Sequence, residues 1–250
     1  MKNENIVALA TLIRESSHCV AFTGAGVSTL SGIRDFRGKN GLYTTMNADR
    51  MFDIDLFFLD PSIYYNLAKD FIYGLYDKKP SIVHMALAAL EKKGYMDVVI
   101  TQNIDLLHTK AGSTHVIEVH GSPSIHRCPS CGKTQTFAEV APIAHAGTIP
   151  LCPSCGTTLK PDITFFGEAL PQDAIFHAIE ESRKADLMIV LGSSLVVQPA
   201  AGLPERTLRA GGKVVIINDQ ATHIDDRATL HFSDLQTTFE ALMEEMEITL

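Results

Sequence analysis

The stretch "CVAFTGAGVSTLSGIRDFRG", residues 19–38, begins as a strand and ends with groups that a strand-to-helix turn does not need. Cys19–Phe22 is an apolar run, and Gly24 and Gly26 behind it supply G-x-G. Glycines at such a turn let backbone N–H groups approach a diphosphate with no Cβ in the way. A plain tight turn explains two glycines as well. A dinucleotide fingerprint would carry its third glycine where Thr29 stands. No strand and acidic residue follow at the spacing of an ordinary dehydrogenase. Instead an acid, a ring and a guanidinium come together as Asp35, Phe36 and Arg37.

Working outward, four more β-rich runs resemble the first: "VVITQNID", "HVIEVHGS", "DLMIVLGSS" and "KVVIIND". They are rich in Val and Ile and lack alternation, as expected of strands covered on both faces. Helical patterns lie between and around them. Ile6, Leu9, Ala10 and Ile13 share one face near the N-terminus; Leu235, Phe239, Leu242, Met243 and Met246 share another near the C-terminus. "SIVHMALAALEKKG" predicts a helix with Ile82, Met85, Ala86, Ala89 and Leu90 inward, stopping at Gly94. "PQDAIFHAIEESRK" and "PAAGLPERTLRAGG" predict two more, the second weakened by Gly202 and Pro204.

Strands alternating with helices predict an α/β fold with a doubly wound parallel sheet. Residues 39–80, aromatic and helical in pattern, and residues 123–165, which hold the cysteines and little periodic apolar pattern, fall outside the alternation. Both are expected to form an inserted small lobe: a helical module and a zinc-binding module. Residues 1–38, 81–122 and 166–250 then make the large domain.

The net charge of −8 argues against a sequence-independent nucleic-acid binder and tolerates a basic, lysine-bearing partner. No apolar run is long enough to span a bilayer and no signal-peptide cleavage pattern is present, so a cytoplasmic protein is expected. Cys128, Cys131, Cys152 and Cys155 form two C-P-S-C clusters, whose spacing fits a tetrahedral, closed and therefore structural zinc site. A nucleic-acid-binding zinc ribbon is the rival, with only Arg127, Lys133 and Lys160 nearby. Cys19 is expected to be a plain buried thiol.

Each polar cluster follows the carboxyl end of an expected strand, where open α/β sheets bind ligands. Asn103 and Asp105 suit a polar pocket, or a helix cap. His120 could take a proton from a sugar hydroxyl near neutral pH. Gly192, Ser193, Ser194 and Asn218 offer groups suited to ribose or phosphate, or to ordinary turns.

"GAGVSTLSGIRDFRG", "TQNIDLLH", "VHG", the paired C-P-S-C clusters, "KPDITFFGE", "GSSLVVQPA" and "IIND" come in the order found in sirtuins, the NAD-dependent protein-lysine deacylases. The chain resembles the compact bacterial and archaeal members from about residue 5 to residue 245. The resemblance implies a Rossmann-like large domain and a cleft that takes NAD and an acyl-lysine peptide from opposite sides. It implies cofactor contacts at Gly24, Ala25, Gly26, Thr29, Phe36 and Arg37. Gln102, Asn103, Ile104 and Asp105 would form the nicotinamide and ribose pocket, with Asn103 also catalytic. Gly192, Ser193, Ser194, Asn218 and Asp234 would hold the adenosine half. His120 matches the general base, and Thr164, Phe166 and Gly167 the acyl-lysine site.

Deacetylation is the implied reaction, giving nicotinamide, O-acyl-ADP-ribose and free lysine. A protein mono-ADP-ribosyltransferase on the same scaffold is the alternative. Two positions depart from the family pattern: Arg34 replaces a proline and Thr164 an aliphatic residue. Members that prefer acidic acyl groups carry a Tyr with a nearby Arg. Here Tyr43 is followed by Thr44, Thr45 and Met46, with no Arg before Arg50, which favours a neutral acyl group.

Overall fold

All five apolar runs become parallel strands. The computed structural model describes residues 3–35 and 48–250. Among these residues the strands are β1 (Cys19–Thr23), β2 (Val98–Thr101), β3 (Val116–Glu118), β4 (Gly121–Arg127), β5 (Thr134–Thr136), β6 (Lys160–Ile163), β7 (Leu187–Leu191), β8 (Lys213–Ile217) and β9 (Leu230–Phe232). Six form a parallel sheet in the order β3-β2-β1-β7-β8-β9; the other three form an antiparallel sheet, β5-β4-β6. The strand sequence runs outward in both directions from the β1/β7 pair, which makes that pair the switch point of the fold.

Both faces of the large sheet are covered. Cys19 and Ala21 of β1, with Leu187, Ile189 and Leu191 of β7, pack under the helices Glu4–Glu15, Ile82–Lys92 and Leu235–Glu245. The intervening Val20, Phe22, Met188 and Val190 meet the helices Gln172–Lys184 and Leu203–Arg209 on the other face. Two-sided burial is why these strands read as continuous apolar runs. Cys19 is 1% exposed, and burial pushes its thiol far up, as expected of a packing residue.

Three details differ from the sequence reading. The buried face of Ile82–Lys92 is Val83, His84, Ala86, Leu87 and Leu90, while Met85 is 40% exposed. The helix is turned because His84 faces inward to Ser81, whose N–H donates to Nδ1 at 3.1 Å. A helix, Phe137–His145, lies within the cysteine segment. Its inward face, Phe137, Val140, Ala141 and Ala144, is masked in the sequence by small residues and an interior Pro142. Thr136 and Glu139 cap it reciprocally, which starts the helix despite that proline. β9 spans three residues and draws its pairing from β8.

The second core joins the helices Ile54–Leu59 and Pro61–Phe71 to the antiparallel sheet. Phe165 meets Phe57 at 5.6 Å and Tyr64 at 5.1 Å between ring centroids. The Tyr65 hydroxyl donates to the Leu159 carbonyl at 2.6 Å. Among the described residues no helix is long and apolar enough to cross a membrane.

Two histidines lie behind the carboxyl edge of β1. His84 is 0% and His108 3% exposed, with ring centroids 4.6 Å apart, and His108 Nε2 meets Thr23 Oγ1 at 2.9 Å. Burial lowers His84 to about 4. Burial, then the neighbouring His84, lower His108 to about 3 against the opposing charge of Asp105. The unfolded chain protonates both near the ordinary 6.5, so it binds more protons than the folded one in mildly acidic solution. Their contribution is complete above that value and is lost as pH falls toward 4. Each histidine adds a slope of at most about 1.4 kcal/mol per pH unit. Thermal unfolding should therefore show a falling melting temperature from pH 7 to pH 5, with a shallower fall in His108→Gln; parallel pH profiles would contradict the assignment.

Candidate functional site

The turn after β1 is stitched to the turn after β7. Gly24 N–H donates to the Leu191 carbonyl and Gly26 N–H to the Gly192 carbonyl, both at 2.9 Å. A Cβ on Gly26 would lie 2.6 Å from Gly192 Cα; one on Gly192, whose φ is +58°, would lie 2.6 Å from Val27 N. The glycines thus serve first to let two backbones meet, and their N–H groups are already spent. The Ala25 N–H between them donates to no described residue. Their sequence reading as N–H donors to a diphosphate moves in part to Ala25.

The turn after β2 completes a polar web. Gln102 Nε2 donates to Ser193 Oγ at 2.9 Å, and Asn103 Nδ2 donates to the Gly24 carbonyl at 3.0 Å and to Ser28 Oγ at 3.2 Å. Ser28 in turn donates to Asp105 Oδ2 at 2.5 Å, and Leu107 N–H donates to Asp105 Oδ1 at 3.0 Å. Asp105 therefore both fixes the start of the helix Leu107–Ala111 and presents a carboxylate held in place. Leu106 and Leu195, just beyond the two loops, sit in the left-handed region at φ 63° and 53°. Non-glycine residues there cost free energy and often mark functional turns.

His120 closes the edge after β3. Its Nδ1 lies 2.9 Å from the Gln102 carbonyl oxygen. A carbonyl only accepts, so Nδ1 carries a proton, and in the neutral ring the lone pair is on Nε2.

These groups surround a cleft of about 420 Å³. It brings together Gly24, Ala25, Gly26, Gln102, Asn103, Ile104, His120, Thr164, Phe166, Gly167, Gly192, Ser193, Ser194 and Asn218. A small adjoining cavity of about 20 Å³ is lined by Ala25, Ser28, Arg34, Asn103, Ile104 and Asp105 among others. Two expected residues stand apart. Thr29 Oγ1 donates to the Gly26 carbonyl on an exposed turn, and Asp234 caps the last helix by accepting from Thr237 N–H at 2.6 Å. Neither lines the cleft. Phe36 and Arg37, and the Tyr43–Met46 stretch, lie outside the described residues. Asp35, the acid of the opening loop, lines the cleft too, and so do residues that the sequence reading missed: Phe52, Glu168, Leu170, Gln198, Asp219 and Gln220. Asp219 and Gln220 directly follow Asn218 at a strand end, a signal that was available; Phe52 arrives by tertiary folding alone.

The four cysteine sulfurs lie within 4.8 Å of one another: Cys128 to Cys155 is 3.4 Å, Cys131 to Cys152 3.5 Å and Cys131 to Cys155 3.6 Å. A tetrahedral zinc with Zn–S near 2.3 Å sets sulfurs about 3.8 Å apart. The set fits one structural zinc with no open position, and none of the four cysteines lines the cleft.

The Sir2 family model matches residues 24–199, which include every cleft segment but the last. The chain belongs to the Sir2 family. It is 48% identical to an NAD-dependent protein deacetylase of Thermotoga maritima over 235 residues, 94% of this chain and 95% of that one. It is 40% identical to NAD-dependent protein deacylase 2 of Archaeoglobus fulgidus over 223 residues, 89% and 88% of the two chains. Among solved structures it is similar to a Sir2 complex with a deacetylated p53 peptide and 3′-O-acetyl ADP ribose. That match has a TM-score of 0.91 and 46% identity and covers 100% of both chains. Sir2Tm bound to a propionylated peptide gives a TM-score of 0.86 at 45% identity over 97% and 98%.

One wall of this Sir2-family cleft is built around a half-buried ammonium. Lys160 Nζ donates to the Ile163 carbonyl at 2.9 Å, pairs with Glu168 Oε2 at 2.9 Å and lies 4.2 Å from the centre of the Phe165 ring. Glu168 Oε2 also accepts from Phe165 N–H at 2.8 Å. Burial lowers the Lys160 ammonium, and the Glu168 carboxylate works against that shift. Lys160 thereby folds residues 161–168 around itself and sets the cleft wall. Removing one partner of a half-buried pair leaves the other uncompensated. Lys160→Met should raise the KM for an acyl-lysine peptide by about tenfold or more while leaving the KM for NAD within about twofold, and Lys160→Arg should recover most of the loss. Equal effects on both substrates would refute the wall assignment.

Proposed function

We propose that this chain is an NAD-dependent protein-lysine deacetylase, releasing nicotinamide, O-acetyl-ADP-ribose and free lysine. The observation that carries the reading is the Nδ1 contact of His120 with the Gln102 carbonyl, 2.9 Å long, in the same cleft as the glycine turns. It leaves Nε2 as the base. The dinucleotide supplies the glycosidic bond that breaks and the ribose that receives the acyl group.

The residues divide that work. Ala25, with Gly24, Gly26 and Gly192 shaping the turn, receives the diphosphate. Ser193, Ser194 and Asn218 hold the adenosine half. Asp105 and the Ile104 backbone hold the carboxamide in the small cavity, and Asn103 orders the loop between them. Phe36 and Arg37, which the resemblance assigns to the cofactor, lie outside the described residues. The acyl-lysine enters between His120 and Phe166, along Thr164 and Gly167, and its oxygen, held in place ahead of water, displaces nicotinamide from the ribose carbon. His120 then takes a proton from the ribose, so that a sugar hydroxyl attacks the acyl carbon, and one water completes the collapse that breaks the C–N bond to free lysine and leaves the acyl group on the sugar.

Thr29 and Asp234 support the loop and the last helix in this account. The division into residues 1–38, 81–122 and 166–250 for the dinucleotide lobe, 39–80 for the helical module and 123–165 for the zinc module belongs to the same proposal. So do a cytoplasmic location, supported by unpaired cysteines, and the absence of direct nucleic-acid binding, supported by a net charge of −8.

Incubation with NAD and an acetyl-lysine peptide, followed by mass spectrometry, should show equal amounts of deacetylated peptide and O-acetyl-ADP-ribose. His120→Ala should slow this by about 10²–10⁴ while still binding NAD. Transfer of labelled ADP-ribose onto protein with the acetyl group untouched would instead mark a mono-ADP-ribosyltransferase.

A further inference from the structure

Three segments far apart in the chain meet at the small cavity, and two lysines clasp them together. Ile33 from the turn after β1, Leu75 from the short helical turn Tyr73–Asp77 and Leu107 from the helix Leu107–Ala111 form one buried apolar cluster, with Phe71 packed against it. Ile33, Phe71 and Leu75 also line the small cavity, together with Asn103, Ile104 and Asp105. Lys78 follows the Tyr73–Asp77 turn, half-buried and extended at φ −72° and ψ 140°. Its Nζ donates to the Gly32 carbonyl at 2.9 Å, and its own carbonyl accepts from Lys110 Nζ at 2.6 Å. Lys110 stands on the helix whose Leu107 N–H donates to Asp105 Oδ1. The links run in series: Asp105 to the helix, the helix through Lys110 to residue 78, and Lys78 to Gly32. Gly32 has φ +70°; just beyond it Ile33 and Arg34 line the small cavity and Asp35 lines the cleft.

Apolar contacts hold these segments close but give no direction, so they leave the turn free to rotate over the cavity. A glycine at its head adds to that freedom. Hydrogen bonds from a charged donor are directional and stronger than neutral ones, and the Lys78 ammonium places one on the Gly32 carbonyl. We infer that Lys78, steadied by Lys110, is a positioning residue for the nicotinamide end of the dinucleotide, holding Ile33 and Arg34 closed on the small cavity. The mechanism proposed above uses neither lysine. The inference rests on the reading that this cavity takes the carboxamide, and adds the residues that keep it shut.

Calorimetric titration with NAD and with ADP-ribose, which keeps both riboses and the diphosphate but lacks nicotinamide, tests this. The parent protein, Lys78→Met, Lys78→Arg, Lys110→Met and the double methionine variant are compared, with circular dichroism and melting temperature recorded for each. Lys78→Met should weaken NAD about three- to tenfold and leave ADP-ribose within about twofold, as loss of one charged hydrogen bond requires; Lys78→Arg should recover most of the loss. Lys110→Met, a change at an exposed side chain, should show the same selectivity, and it decides the matter alone if Lys78→Met folds poorly. Because the links are in series, the double variant should lose no more than Lys78→Met. In turnover, the KM for NAD should rise with the calorimetric loss while the KM for an acetyl-lysine peptide stays within about twofold. Parental NAD affinity in the folded variants, equal losses for NAD and ADP-ribose, or additive losses in the double variant overturns the proposal. If the parent protein binds NAD and leaves acetyl-lysine untouched, the deacylase reading fails and the NAD and ADP-ribose titrations still decide the clasp.

Discussion

The contact between Gly26 and Gly192 is the constraint on which the rest of the site depends. A Cβ on Gly26 would stand 2.6 Å from Gly192 Cα, so the two turns meet backbone to backbone with no room for a side chain. That approach happens between β1 and β7, where the sheet order reverses. A reversal of this kind leaves a crevice at the carboxyl edge. The Gly24 and Gly26 N–H groups hold the turns together, which fixes the crevice floor before any ligand arrives. Asn103 then grips the Gly24 carbonyl and Gln102 grips Ser193, so the loop after β2 takes its position from the same contact.

His120 transmits that order to the small lobe. Its ring is anchored on the large sheet through Gln102, and its carbonyl accepts from Thr164 on the opposite wall. Gly121, next in the chain, has φ +73°, and a Cβ there would meet the Asp162 carbonyl at 2.2 Å. The chain therefore passes from parallel to antiparallel sheet within one residue of the proposed base. A shift of the small lobe would move the base, the peptide wall and the Lys160–Glu168 pair together. Such coupling suits a reaction in which a weak nucleophile must be positioned better than water.

Much of this was legible in the sequence because two-sided burial leaves a strong signal. Cys19–Thr23 and Leu187–Leu191 are covered on both faces, and their apolar runs announced parallel strands. The polar clusters at their ends were legible for the same reason: each interrupts an apolar run abruptly. The Phe137–His145 helix was not, because Pro142 and three alanines blur its period and a capping box starts it. The inward face of Ile82–Lys92 was misjudged because His84 is buried against His108, a tertiary contact with no local sequence signature. Within the site, Asp234 reads as a ligand group by motif and stands as a helix cap by geometry. Phe52 reaches the cleft only through the packing of the small lobe, so no spacing rule could have found it.

The central claim is that bare backbone at the β1/β7 crossing shapes the dinucleotide site. Calorimetric titration of NAD into Gly26→Ala, with circular dichroism and zinc content matching the parent protein, tests it most directly. The account predicts that NAD affinity falls by about tenfold or more, because the added methyl must push the two turns apart. Parental NAD affinity in a fully folded Gly26→Ala protein would contradict it.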